Sequence, residues 1–348
     1  MTMTLPSPRT ADPMDAPPLR WGVLGTGWIA DRLFDAVAHH TRQKLVAVGS
    51  RSVERAQEFA DRHGAARGYG SYEQLVADPD VDAIHIATPH SEHCANALLA
   101  IEAGKHVLVE KAFTRNAAEA SRVFDAARAS GVAVVEAMWT RFLPHIDVLR
   151  QLLADGALGD VEAVFADHGQ YFEPVPTGRL FDPELAGGAM LDLGVYPVSF
   201  AHFVLGAPSS VKSAGTKTIT GVDRQVSAVL SGYEATPTAH ALINTTLAAK
   251  TPTTAFVSGS KARVEIPGAF YAPQQLRVIT RDGDVLTTDL PPIEGHQGLA
   301  FEVAALATLV AEGRQESELM PWADTIAVLE TMDELRRQTG VTLPGETL

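Results

Sequence analysis

Arg20-Trp21-Gly22-Val23-Leu24-Gly25-Thr26-Gly27-Trp28-Ile29-Ala30 is the stretch whose reading decides the fold. Residues 21–24 make a short apolar strand, the turn after it carries Gly25 and Gly27, and a helical pattern then runs to about residue 38. In such a strand–turn–helix unit the first glycine permits the tight turn. The second lets the backbone approach a pyrophosphate, and a small third residue, here Ala30, lets helix pack on strand. The first amides of the helix then face the phosphates. A glycine-rich turn with no ligand is the bland alternative, and the regular alternation of strands and helices further along the chain argues against it.

Lys44 to Ser50 is a second β-type run, and Ser52 caps a helix that continues through Phe59. A strand over 82–87, a helix over 93–103, a strand over 106–109, a helix over 116–130 and a strand over 132–135 come next. These strands are unbroken apolar runs. Strands that alternate with helices and are apolar throughout predict an α/β, Rossmann-type domain over residues 20–140, with a parallel sheet covered on both faces. Beyond it the pattern changes. Helical stretches at 144–153 and 187–204 flank a strand at 161–170. Short β-type runs then fill 210–290, broken by turns such as Arg281-Asp282-Gly283, and helices close the chain near 299–311 and 321–339. Grouped strands predict an α+β catalytic and oligomerisation domain over 141–348, with an open, mainly antiparallel sheet. Residues 1–19, rich in Pro, Thr, Ser and Asp and without the apolar core of a signal peptide, read as a disordered tail or in part a leader.

Composition narrows the function. The 348 residues carry a formal net charge of −14, which repels phosphate backbones and anionic lipid, so neither nucleic acid nor membrane is an expected partner. A local basic pocket can still oppose the global sign. Cys94 is the one cysteine, which rules out an intrachain disulfide framework and fits a reducing cytoplasm. No run of about 18 apolar residues is present. The expected location is the cytoplasm.

The end of the second strand bears on which dinucleotide is bound. NAD sites place Asp or Glu there, ~20 residues after the glycines, to hold the ribose 2′-hydroxyl. Here the strand ends Ser50-Arg51. No carboxylate repels a 2′-phosphate, and Arg51 can make charge-assisted hydrogen bonds to it, with Arg55 one turn on. The reading is NADP, with NAD possible and weaker; a solvated surface arginine is the alternative.

Further motifs carry a resemblance: Ala87-Thr88-Pro89, His93, 103–111 (AGKHVLVEK), 136–142 (EAMWTRF) and 187–196 (GGAMLDLGVY). Over roughly residues 20–340 the chain resembles the glucose–fructose oxidoreductase / inositol dehydrogenase (Gfo/Idh/MocA) family. It looks most like the branch of dimeric dihydrodiol dehydrogenases and NADP-dependent D-xylose dehydrogenases. The resemblance implies that Lys111 and Tyr196 act at the substrate with Asp192 close by. It implies that Gly25, Thr26, Gly27, Trp28, Ile29, Glu110 and Lys111 hold the cofactor, that Thr88 and Pro89 form the loop under the nicotinamide, and that His93 lines that end. It also implies a homodimer or homotetramer paired through the open sheet. One position departs from the pattern: Ala112 stands where the family has proline after Glu-Lys. A cis bond before alanine costs ~3 kcal/mol, so the Lys111–Ala112 bond is expected to be trans.

The chemistry can be argued from the side chains. A phenol of pKa ~10 is a poor base at neutral pH unless a cation favours its ionised form. Lys111 follows the strand 107–109, at a carboxyl end where open α/β sheets bind ligands, and is a candidate for that cation. Asp192 and Tyr196 are four apart, which on a helix puts them on one face. Against these stand a structural tyrosine, a solvated loop lysine and a capping aspartate. Trp139 and Phe142 either wall a substrate cleft or pack the core. His90, His93 and Cys94 invite a metal reading, but the set is incomplete and no partner pair stands at metal-site spacing, so no metal is expected. The expected activity is NADP-linked interconversion of a hydroxyl and a carbonyl on a sugar, cyclitol or diol, with Tyr196 as general acid/base. A non-catalytic, cofactor-binding regulatory relative and a two-substrate oxidoreductase with tightly held NADP are the alternatives. Arg51→Ala should weaken NADP binding by ~1.5–3 kcal/mol, the range for a lost charged hydrogen bond, and leave NAD nearly unchanged; titrations showing equal losses for the two cofactors would refute the assignment.

Overall fold

The computed structural model describes residues 4–346. The first part of the expected tail, residues 1–3, and the last two residues of the chain lie outside the described range. The chain divides into two compact units. One comprises Ala11–Phe142 and Gly295–Ile326, the other the residues up to Thr10, Leu143–Glu294 and Ala327 onward.

The first unit runs β1 (Arg20–Leu24), α1 (Trp28–His40), β2 (Lys44–Gly49), α2 (Val53–His63), β3 (Arg67–Tyr69), α3 (Tyr72–Val76), β4 (Ala83–Ile86), α4 (His90–Glu102), β5 (His106–Glu110), α5 (Ala117–Ser130) and β6 (Val134–Ala137). Its six strands lie in the order β3-β2-β1-β4-β5-β6, and every neighbouring pair is parallel. This is the doubly wound arrangement, in which the strand order reverses beside β1 and a crevice opens at the carboxyl ends of β1 and β4. The apolar runs read from the sequence are its interior: Val23, Leu24, Ile84, Ile86, Val107, Leu108 and Val109 are fully buried. Helices start on side-chain caps where the sequence offers them, Ser52 accepting from the Arg55 amide and Asn116 from the Glu119 amide.

The second unit contains α6 (Pro144–Ala154), β7 (Val161–Gly169), α7 (Val195–Leu205), β8 (Ser210–Lys217), β9 (Asp223–Ser231), β10 (His240–Thr246), β11 (Ala255–Gly259), β12 (Ala262–Ile266), β13 (Arg277–Thr280) and β14 (Val285–Thr287). The sheet order is β14-β13-β12-β11-β7-β10-β9-β8, antiparallel throughout except for the β7–β10 pair. Its strands alternate. Val164 and Ala166 of β7, Ala241 and Ile243 of β10 and Val226 and Leu230 of β9 are buried, while Phe165 and Val229 point to solvent. The helix α7 packs on β7 and β10.

Two helices follow: α8 (Ala300–Ala311), which belongs to the first unit, and α9 (Trp322–Gln338). A division by sequence order alone misses this return of 295–326 to the first unit. Part of the stretch read as a disordered tail also has defined contacts there. Asp12 caps a short turn at Pro13–Asp15, and Ala16 and Leu19 pack with Ala304 and Ala307 of α8. Arg9 pairs with Asp147 in the second unit, at 3.2 Å. By length and hydropathy the stretch Pro183–Leu205 is apolar enough to cross a bilayer, but 89% of its most apolar window is buried inside the chain, as a core helix is.

Candidate functional site

In the first unit the glycine turn is fixed by a close approach. Gly25 adopts φ +99°, and a Cβ there would stand 2.6 Å from the Ala87 carbonyl oxygen at the end of β4. Only glycine allows this contact and this backbone angle together. Gly27 precedes α1 without a side-chain cap, so the first amides of the helix have no protein acceptor from that residue. Thr26 and Ile29 are half-buried, and Trp28 is exposed, edge-on to His296 with ring centres 4.9 Å apart. Ser50 is buried at the end of β2; Arg51 and Arg55 are exposed, and among the described residues neither forms an ion pair. An uncapped helix start, a turn that a side chain would fill and unpaired arginines at the second strand suit a phosphorylated dinucleotide.

Beside that turn, His93 ties two loops together. Its ring is buried, with Nε2 2.9 Å from the Thr88 carbonyl oxygen and Nδ1 3.0 Å from that of Ala112. Burial holds the imidazole below its ordinary range, against the pull of the Thr88 and Ala112 carbonyls. Asn96 donates to the Thr88 hydroxyl at 3.0 Å. His93, named from the resemblance as lining the cofactor, thus joins the Thr88-Pro89 loop to the Lys111-Ala112 loop.

Lys111 emerges half-buried from the carboxyl end of β5. The bond from Lys111 to Ala112 is cis, which corrects the expectation of trans. Local cost argued for trans, but the peptides on this loop are fixed from outside it: the Ala112 carbonyl faces His93, and the Phe113 amide donates to Glu136 at 3.3 Å. Glu110 faces inward and pairs with the fully buried His85 at 3.0 Å. Glu136 also accepts from the Thr325 hydroxyl at 2.8 Å; burial pushes its carboxyl up to about 7, against the pull of that hydrogen bond and of Arg141 and Lys111. Glu302 of α8, fully buried near both carboxylates, is pushed well up, first by burial and then by Glu110 and Glu136. Trp139 and Phe142 are buried; Trp139 stacks on His296 at 5.8 Å.

In the second unit Asp192 and Tyr196 lie on consecutive turns, but not on a regular helix. Met190–Gly194 is wound as a π-helical turn that runs into α7. Pro197 lacks the amide that an α-helix would use here and its ring crowds the preceding turn, which the wider winding relieves. Asp192 is buried and receives Arg179 at 2.9 Å. The buried Tyr196 ring stacks on Tyr271, with centres 4.3 Å apart, and lies 5.4 Å from His168. His168 is 2.9 Å from the Gln170 amide nitrogen. The Tyr271 phenol is held above its usual range, first by burial and then by the Asp192 charge. His168, Gln170, Tyr271 and Arg179 escaped the sequence reading. His168 left one trace: it occupies an inward position in the alternation of β7, where Val164 and Ala166 are apolar. Among the described residues no cluster of three or more His, Cys, Asp or Glu could hold a metal.

A doubly wound sheet with this glycine turn, followed by a mainly antiparallel α+β unit, suits a nicotinamide-nucleotide-dependent oxidoreductase. Residues 19–138 match the oxidoreductase family with an NAD-binding Rossmann fold, and residues 146–265 match the Gfo/Idh/MocA C-terminal domain. The chain belongs to the Gfo/Idh/MocA family and is an NAD(P)-dependent dehydrogenase acting on CH–OH groups. It is 36% identical to D-xylose 1-dehydrogenase (NADP(+)) of Hypocrea jecorina, over 94% of this chain and 93% of that one. It is 34% identical to human trans-1,2-dihydrobenzene-1,2-diol dehydrogenase, over 94% and 99%. Among solved structures it is similar to the 3-ketoreductase KijD10 of Actinomadura kijaniata, in complex with NADP and TDP-benzene, at TM-score 0.80 and 26% identity over 93% of this chain and 98% of that one.

Proposed function

We propose that the protein interconverts a hydroxyl and a carbonyl on a sugar, cyclitol or diol with NADP, and that Tyr196 is the general acid/base. The observation that carries this reading is the near full-length similarity to an NADP-dependent xylose dehydrogenase and to dihydrodiol dehydrogenases. The nicotinamide supplies the acceptor or donor of hydride. Gly25, Thr26, Gly27, Trp28 and Ile29 hold the pyrophosphate against the start of α1, while Ser50, Arg51 and Arg55 take the 2′-phosphate. Thr88 and Pro89 form the loop under the nicotinamide, and His93 and Glu110 line that end of the cofactor site. Tyr196 removes the hydroxyl proton during oxidation and returns it during reduction. Asp192, oriented by Arg179, binds a substrate hydroxyl. Lys111 supplies the cation that an ionised phenol needs at neutral pH.

We further propose that a second copy of the chain covers the open face of the second unit's sheet. Val229, Leu242, Phe165 and Phe256 stand in register across four strands of that face, with Phe165 and Phe256 stacked at 4.7 Å. Lys212 continues the row at one end and Glu265, held by Arg263 and Arg277, at the other, so two copies laid head to tail would match apolar to apolar. Light scattering that gave a monomer at every working concentration would contradict this.

Tyr196→Phe removes one oxygen, so folding and NADP affinity should hardly change, while turnover should fall ~10²–10⁴-fold, the range for a lost proton-transfer group. Lys111→Ala should also slow turnover and move the optimum of oxidation to higher pH. Steady-state rates with NADP and the best-oxidised aldose, inositol or diol across pH check both, and a Phe variant with normal turnover would remove the assignment.

A further inference from the structure

The segment that carries Asp192 and Tyr196 begins at one peptide group held from both sides. The amide of Met190 donates to Oδ2 of Asp223, at the start of β9. The carbonyl of Ala189, the other half of the same peptide, accepts from the Thr245 hydroxyl of β10 at 3.3 Å. Asp223 is 1% exposed and Thr245 fully buried, and they stand on neighbouring antiparallel strands. The other carboxylate oxygen of Asp223 makes no further well-formed hydrogen bond, although the Ala189 and Asp223 amides and the Arg336 charge also face the carboxylate. That oxygen lies against Gly188, where a Cβ would come within 2.3 Å of it and where φ is +120°. At the far end of the π-helical turn, a Cβ on Gly194 would meet the Met190 sulfur at 2.7 Å and the Thr245 methyl carbon at 3.1 Å. The approach of Asp223 thus accounts for Gly188, just before the turn, while at Gly194 the Met190 sulfur is nearest and the Thr245 methyl next.

We infer that Asp223 and Thr245 are positioning residues for the reaction: by clamping the Ala189–Met190 peptide they set where the Asp192 carboxylate and the Tyr196 phenol stand. A π-helical turn is a rare local winding found mainly at functional sites, and its first peptide decides the direction in which the next residues leave. Asp192 follows two residues after Met190 and Tyr196 six, so a small rotation of this peptide swings both side chains. The clamp acts on alignment, and errors of about 1 Å in alignment can cost ~10²-fold in rate. Both are assigned to act through this peptide, which each contacts directly, and not on the substrate.

The inference rests on the reading that Asp192 and Tyr196 carry the chemistry, and the test separates the two. Thr245→Val, Asp223→Ala, Asp223→Asn, the Thr245→Val/Asp223→Ala pair and Tyr196→Phe are assayed for NADP reduction with whichever aldose, inositol or vicinal diol the parent protein oxidises fastest, alongside titration of NADP. Thr245→Val and Asp223→Ala should each lower kcat at least tenfold, with NADP affinity within twofold of the parent. Because both act on one peptide, the double variant should be little worse than the weaker single. Asp223→Asn keeps an acceptor for the Met190 amide but loses the carboxylate charge, so its kcat should lie between that of Asp223→Ala and the parent. If Asp223→Ala does not fold, Thr245→Val, which exchanges one hydroxyl for a methyl, carries the test together with Asp223→Asn. Normal kcat in folded Thr245→Val, or kcat and NADP affinity falling together in either single variant, overturns the clamp. Normal turnover in Tyr196→Phe overturns the underlying reading instead.

Discussion

A methyl group on residue 25 would stand 2.6 Å from the Ala87 carbonyl oxygen, and the arrangement of the first unit depends on that exclusion. Because the chain passes so close to the end of β4, it can turn at once into α1 and leave the first amides of that helix uncapped. Ala87 opens directly into Thr88-Pro89, which His93 holds through the Thr88 carbonyl. The other nitrogen of the same imidazole faces Ala112, and Glu136 holds Phe113. One glycine contact thus leads, through a short series of buried hydrogen bonds, to the loop that presents Lys111.

The carboxylates behind that loop are a second consequence of packing. Glu110, Glu136 and Glu302 are all buried in the first unit, and burial opposes the ionisation of Glu136 and Glu302. His85 satisfies Glu110, while Thr325 and the Phe113 amide satisfy Glu136. The net charge of −14 says nothing of such local balance. The same surface that discourages polyanions leaves Arg51 and Arg55 exposed, without ion pairs among the described residues, where a phosphate can reach them.

The parallel sheet was legible because its strands are buried on both faces and so read as unbroken apolar runs. The strand β3 was not: Arg67-Gly68-Tyr69 is short, half-buried and polar at its start. The antiparallel sheet showed itself as a group of short strands, but not its order, which depends on contacts between segments far apart in sequence. Helix 187–204 was visible as an apolar stretch, whereas its π-helical start was not, since that winding answers to Pro197 and to side chains from β9 and β10. Lys111, Asp192 and Tyr196 were nameable through motifs. His168, Tyr271 and Asp223 were not, because each reaches its neighbours from a separate strand or loop. The cis bond before Ala112 shows the limit of local cost as a guide: what fixes that loop lies on α4 and β6.

Hydride exchange between NADP and a carbon bearing a hydroxyl, in a polyol or diol, is the one activity on which every assigned role depends. Purified full-length protein is therefore to be given NADP and, in turn, a panel of aldoses, inositols and vicinal diols, with the reduced cofactor followed by its absorbance. The expected result is saturable NADP reduction with at least one member of the panel, and a lower kcat/KM for the same substrate when NAD replaces NADP. Folded protein that binds NADP yet reduces it with no member of the panel would contradict the assigned activity.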